Sequence, residues 1–129
     1  MNETLITLRG NVGTDLRQHD TAHGPVTRFR VGCTPSRFDR QSQTWIDGEV
    51  VWYSVSAFRT LARHCADSLN RGDPVIVHGS LITRTYEHEG ETRLELAVTA
   101  RSVGHDLALG TSRFVRMPSS QPTLEEVAA

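Results

Sequence analysis

Apolar residues recur at every second position along most of the chain and at helical spacing in only one stretch, a pattern that predicts strands with a single helix. From Thr4 to Val12, Leu5, Thr7 and Arg9 alternate with Ile6, Leu8 and Gly10. The run ends in Gly10-Asn11-Val12-Gly13, where the glycines suggest a bulge or tight bend. His23-Gly24-Pro25 marks a turn, and Val26 to Thr34 reads as the next strand, with Phe29, Val31 and Cys33 inward and Arg28 and Arg30 on the opposite face. A polar loop from Pro35 to Gly48 follows, carrying Arg37, Phe38, Arg40 and Trp45; a loop of that length without structure of its own tends to be functional. Glu49 to Phe58 is a third strand. Its odd residues Val51, Tyr53, Val55 and Ala57 look like core, and its even residues Val50, Trp52, Ser54, Ser56 and Phe58 share the other face.

Helical spacing appears from Thr60 to Asn70, where Leu61, Ala62, Cys65, Ala66 and Leu69 form one stripe and Asn70-Arg71-Gly72 supplies the stop. Pro74 to Thr85 returns to alternation, Tyr86 to Glu91 is predicted as a hairpin loop around Gly90, and Thr92 to Ala100 runs back with Leu94, Leu96, Val98 and Ala100 inward. Thr111 to Met117 is a candidate for one more strand, and Pro118 to Ala129 has too little apolar content to fold and is expected to be a flexible tail. Three strands, a helix and two strands make an all-β chain with one helix, the order of the five-stranded OB-fold barrel. The expected division is a barrel over residues 1–105, a C-terminal strand over 106–117 and a tail over 118–129.

Trp52 and Phe58 are the first candidates for chemistry. Two large rings share a strand face with serines, where a purely structural strand would show small polar groups. Such a surface stacks planar ligands, of which unpaired bases are the commonest; the residues alone equally allow a subunit interface or a second core layer. A formal net charge of −1 gives no global pull toward nucleic acid. All 14 basic residues are arginine, the side chain that stacks on bases and grips phosphate with a fork, although codon usage in a GC-rich genome would give the same bias. Cys33 and Cys65 lack Cys-x-x-Cys spacing and read as buried free thiols.

The ordered set Leu8-Arg9-Gly10-Asn11-Val12-Gly13-Thr14-Asp15, Val26 to Thr34, Val51-Trp52-Tyr53-Ser54-Val55, Phe58-Arg59-Thr60-Leu61-Ala62, Leu69-Asn70-Arg71-Gly72-Asp73, Val77-His78-Gly79-Ser80-Leu81 and Thr83-Arg84-Thr85-Tyr86 resembles the bacterial single-stranded DNA-binding protein family over roughly residues 3 to 105. The resemblance implies base stacking on Trp52, Phe58, Phe38 and Tyr86, the last two at positions where the family often has tryptophan. Arg28, Arg30, Arg37, Arg40, Arg59 and Arg84, chosen for proximity to those rings, are the candidate phosphate contacts. It also implies a homotetramer, and Thr111 to Met117 resembles the strand with which the actinobacterial branch clamps neighbouring subunits.

The family's acidic tip with Pro-Phe, which recruits repair and replication proteins, is not matched by Thr123-Leu124-Glu125-Glu126-Val127-Ala128-Ala129. A specialised paralogue that coats single-stranded DNA during replication, recombination, repair or segregation without recruiting the usual partners is the resulting expectation.

An enzyme is the weaker reading. The six histidines make no metal-ligand spacing, and there is no nucleophile elbow or phosphate-cradling glycine loop, so neither catalysis nor a cofactor is expected. An OB-fold accessory module that binds other proteins of the replication machinery is the alternative. With no membrane-length apolar run and no signal-peptide pattern at Met1-Asn2-Glu3-Thr4, the expected location is the cytoplasm, at the nucleoid.

Overall fold

A computed structural model describes residues 2–118. The predicted tail lies outside the described residues, apart from Pro118. Nine elements follow in order: β1 (Thr4–Val12), β2 (Arg17–Thr21), β3 (Gly24–Cys33), β4 (Ser36–Asp39), β5 (Thr44–Asp47), β6 (Val51–Phe58), α1 (Arg59–Ser68), β7 (Pro74–His88) and β8 (Glu91–His105). Strands β1, β7, β8, β6 and β3 hydrogen-bond in that order, and β3 returns to β1 through Asn11↔Gly32 and Val12↔Val31, which closes the ring. All neighbours are antiparallel except β6 and β8, which run parallel with Ser54↔Ala97, Val55↔Val98 and Ser56↔Thr99. The expected five-stranded barrel is what these pairings build, with β2 added outside β3.

The inward residues are those that alternation selects. Leu8, Val12, Phe29, Val31, Val55, Ala57, Val75, Val77, Val98 and Ala100 fill the barrel. Ala62 and Cys65 of α1, with Leu69 just past its end, join the same core. Burying each of the larger side chains stabilises the fold by about 1.5–3 kcal/mol before conformational entropy is subtracted. Thr27 is the polar exception: fully buried, it donates its hydroxyl to the Ala62 carbonyl at 2.7 Å and ties β3 to the helix. Both cysteines are free thiols; Cys65 is buried and desolvation pushes it up to about 11.

Several expectations need correction. Pro35 to Gly48 is not an unstructured loop but the hairpin β4–β5, joined by Phe38↔Trp45 across the ladder. The turn is organised by Asp39, whose carboxylate accepts from Ser42 Oγ (2.9 Å) and the Gln41 N–H (3.1 Å) and is held below its ordinary value by those bonds, the Ser42 one foremost. Strand β2, all exposed, offers no hydrophobic alternation and so escaped prediction. The β7–β8 hairpin runs beyond Thr85 to a two-residue turn at Glu89-Gly90, both with positive φ, the geometry that matches strand twist. Tyr86 is therefore on a strand rather than in a loop.

Leu94, expected inward, is 62% exposed, because this end of the hairpin projects past the barrel and has no core to face. No strand forms over Thr111 to Met117 within the single chain, and Phe114 stays 80% exposed. The turn after β8 is fixed by Asp106, which accepts from Arg9 Nη2 at 2.8 Å, Arg9 Nε at 3.1 Å and the Ala108 N–H at 3.1 Å.

Candidate nucleic-acid interface

The outer face shared by β3 and β6 is a two-strand array whose residues stand opposite each other by register. Along β6 come Trp52, Ser54, Ser56 and Phe58; facing them on β3 are Gly32, Arg30, Arg28 and Val26. The serines leave room beside the long arginines, and the rings sit at the two ends, about 20 Å apart at a strand's rise per residue. Trp52 and Phe58 are 41% and 43% exposed. The inward odd set, by contrast, includes the buried Val55 and Ala57. The even-and-odd division predicted from sequence is the observed one.

A groove of about 620 Å³ follows this face, lined by Phe58, by Ser54 and Ser56, and by the five arginines Arg17, Arg28, Arg30, Arg71 and Arg84. Asp15 and Glu95 bring the only carboxylates to its lining, so the groove carries a net formal charge of +3. A second hollow of about 400 Å³ shares Arg30, Ser54 and Glu95 with it and adds Trp52, Tyr86 and Leu94. The two together make one continuous cationic track with rings along it. Arg30 places its guanidinium carbon 4.9 Å from the centre of the Trp52 ring, a cation–π contact.

Of the residues singled out from sequence, Trp52, Tyr86 and Arg30 meet in one hollow, and Phe58, Arg28, Arg30 and Arg84 in the other. Phe38, Arg37 and Arg40 belong instead to the β4–β5 hairpin, which pairs with no barrel strand. There Phe38 meets Trp45 edge-to-face at 5.6 Å between ring centres, and Trp45 is 71% exposed. Arg59 sits at the junction where β6 passes into α1, in the left-handed region at φ 59°, and does not line the groove.

Arg17, Arg71 and His19 line the groove and were not predicted for it. For β2 the missing signal was polar alternation: Arg17 and His19 share a face, and Arg17 stands directly opposite Arg28. Arg71, part of the Asn70-Arg71-Gly72 stop after the helix, is carried to the groove by the turn that ends in Gly72 at φ 96°.

A closed barrel of this topology, with rings and guanidinium groups along one outer track, defines an OB-fold of the oligonucleotide-binding kind. The chain belongs to the Single-strand binding protein family, which matches residues 2–106. It is 44% identical over 116 residues to Single-stranded DNA-binding protein 1 of Streptomyces coelicolor, covering 90% of this chain and 74% of that protein. The crystal structure of a small single-stranded DNA-binding protein from Streptomyces coelicolor superposes with a TM-score of 0.79 at 43% identity, over 85% of this chain and 100% of that one. The second single-stranded DNA-binding protein of Mycobacterium smegmatis superposes at 0.67 with 27% identity, over 89% and 100%.

Proposed function

We propose that this chain binds single-stranded DNA with little sequence preference and shields it during replication, recombination or repair. The observation that carries the reading is Arg17 facing Arg28 across the β2–β3 ladder. Like charges in that position repel, and neither has a carboxylate within ion-pair distance among the described residues. A phosphate chain laid in the groove relieves that repulsion and releases counterions, whereas a neutral ligand does neither.

Bases stack on Trp52 and Phe58, each contributing about 1–3 kcal/mol whatever its identity, because every base has a π face. Tyr86 extends the track along the β7–β8 hairpin, and Phe38 serves from its separate hairpin. Arg28, Arg30 and Arg84, joined by Arg17 and Arg71, hold the phosphates; Arg37, Arg40 and Arg59 make outlying contacts. The chain acts by binding rather than by catalysis, in the cytoplasm. The single-stranded DNA-binding proteins among its relatives support this reading.

Assembly into a homotetramer accounts for apolar side chains that one barrel leaves in water, among them Leu5 and Ile76 on the β1–β7 side and Leu107, Leu109, Phe114 and Val115 after β8. In that assembly residues 106–117 clamp a neighbouring subunit. Titration with oligo-dT of increasing length at low salt, following tryptophan emission and particle mass together, tests both parts: quenching on binding and a mass of four chains are expected. Unchanged emission with no complex formed would leave the protein-binding accessory module as the better reading.

A further inference from the structure

Trp52 has a seat built from glycine. Its Cα partner across the ladder is Gly32, and a β-carbon added there would stand 2.9 Å from Cζ3 and 3.1 Å from Cη2 of the indole. A β-carbon at Gly13, beyond the end of β1, would stand 2.2 Å and 2.6 Å from the same two atoms. The positive-φ glycines of the chain are Gly24, Gly72 and Gly90, so backbone conformation does not require glycine at 13 or 32. The ring does.

The seat is also fixed in place. The Gly13 N–H donates to the Arg30 carbonyl at 2.8 Å, and the Arg30 N–H donates to Thr14 Oγ1 at 3.0 Å. These two bonds strap Gly13 and Thr14 to β3 on either side of Arg30. A methyl group at Gly13 meets the far end of a side chain, not backbone, so the indole is what must move. The Arg30 guanidinium over the ring is a movable cover, and the glycine floor is not.

We propose that Gly13 and Gly32 are positioning residues, a floor without β-carbons that lays the Trp52 indole along the barrel and presents its outer face to a base. The proposal rests on the reading of Trp52 as a stacking residue.

The test uses the Trp45→Phe protein as parent, in which Trp52 is the one remaining tryptophan of the two. Adding Gly13→Ala should shift the emission of the free protein, reduce its quenching by oligo-dT, and weaken binding of a fluorescein-labelled oligo-dT by about fivefold or more, the lower end of what one stacked base contributes. In a Trp52→Ala background the same Gly13→Ala should leave both affinity and thermal midpoint unchanged, because the methyl group then has room. That cycle separates a seat for Trp52 from a general defect in folding. Emission and affinity equal to the parent's would overturn the proposal, and so would a Gly13→Ala loss just as large without Trp52. A parent that does not bind oligo-dT would sink the functional reading alone, since the emission and melting comparisons need no DNA.

Discussion

Replacing Arg17 with glutamine removes one positive charge from the groove and keeps most of the side chain's length. Arg17 is one of five groove arginines and directly faces Arg28. Neutralising phosphates on a single strand gives a slope of log K against log salt of about −0.7 per contact, so five contacts give about −3.5 and Arg17→Gln about −2.8. The affinity lost with one contact then depends on salt: about eightfold at 50 mM and less than about twofold at 500 mM. The free protein should not weaken, because the change removes a repelling cross-strand pair and returns a few tenths of a kcal/mol.

Anisotropy of a labelled oligo-dT of about eight nucleotides, within the roughly 4–16 that one OB barrel covers, reads the slope; a thermal melt reads the stability. Trp52→Ala is the contrasting control, since stacking releases no counterions and its loss should be the same at every salt concentration. If Arg17→Gln lowers affinity equally at 50 and 500 mM with an unchanged slope, the groove is not the phosphate path.

Three further outcomes follow from the packing. Thr27→Val keeps the shape but loses the hydrogen bond to the Ala62 carbonyl, and should lower stability by about 0.5–1.5 kcal/mol in a denaturant melt. Gly79→Ala places a β-carbon 2.1 Å from the Thr99 carbonyl oxygen and 2.9 Å from Ala100 Cα, both backbone at the β7–β8 irregularity, and should destabilise by about 1–3 kcal/mol or more. The hydrogen bonds from Arg9, with that from the Ala108 N–H, hold the Asp106 carboxyl below its ordinary value of 3.8. A depressed folded-state value means the contribution is complete above 3.8 and disappears as pH falls through the lower one. The difference in thermal midpoint between the wild type and Asp106→Asn should therefore be constant near neutrality and shrink only in strong acid; a difference that shrinks already near pH 6 would contradict this pairing.

Alternation determined which way the side chains of the barrel strands face. Once Phe29, Val31, Val55 and Ala57 must face one way, Arg28, Arg30, Trp52 and Phe58 must face the other, because a strand has only two sides. The helix face of Ala62 and Cys65 was legible for the same reason, its spacing fitting a single buried stripe. Such local rules stop where an element has no core to pattern it. Strand β2 is exposed throughout, the β4–β5 hairpin stands clear of the barrel, and the outer half of β7–β8 carries Leu94 into water. These segments owe their form to ladders and turns rather than to burial, and their sequences do not announce it.

What only the tertiary structure decided was which side chains meet. Arg17, Arg71 and Arg84 come from three separate regions of the chain and reach one groove because the ring closes between β3 and β1 and carries β2 and the Gly72 turn to the same side. Gly13 and Trp52 are likewise far apart in sequence, and their fit depends on a distance across the barrel surface. Periodicity fixes the direction in which a residue points; the neighbour it finds there is set by closure and register, which are properties of the whole sheet.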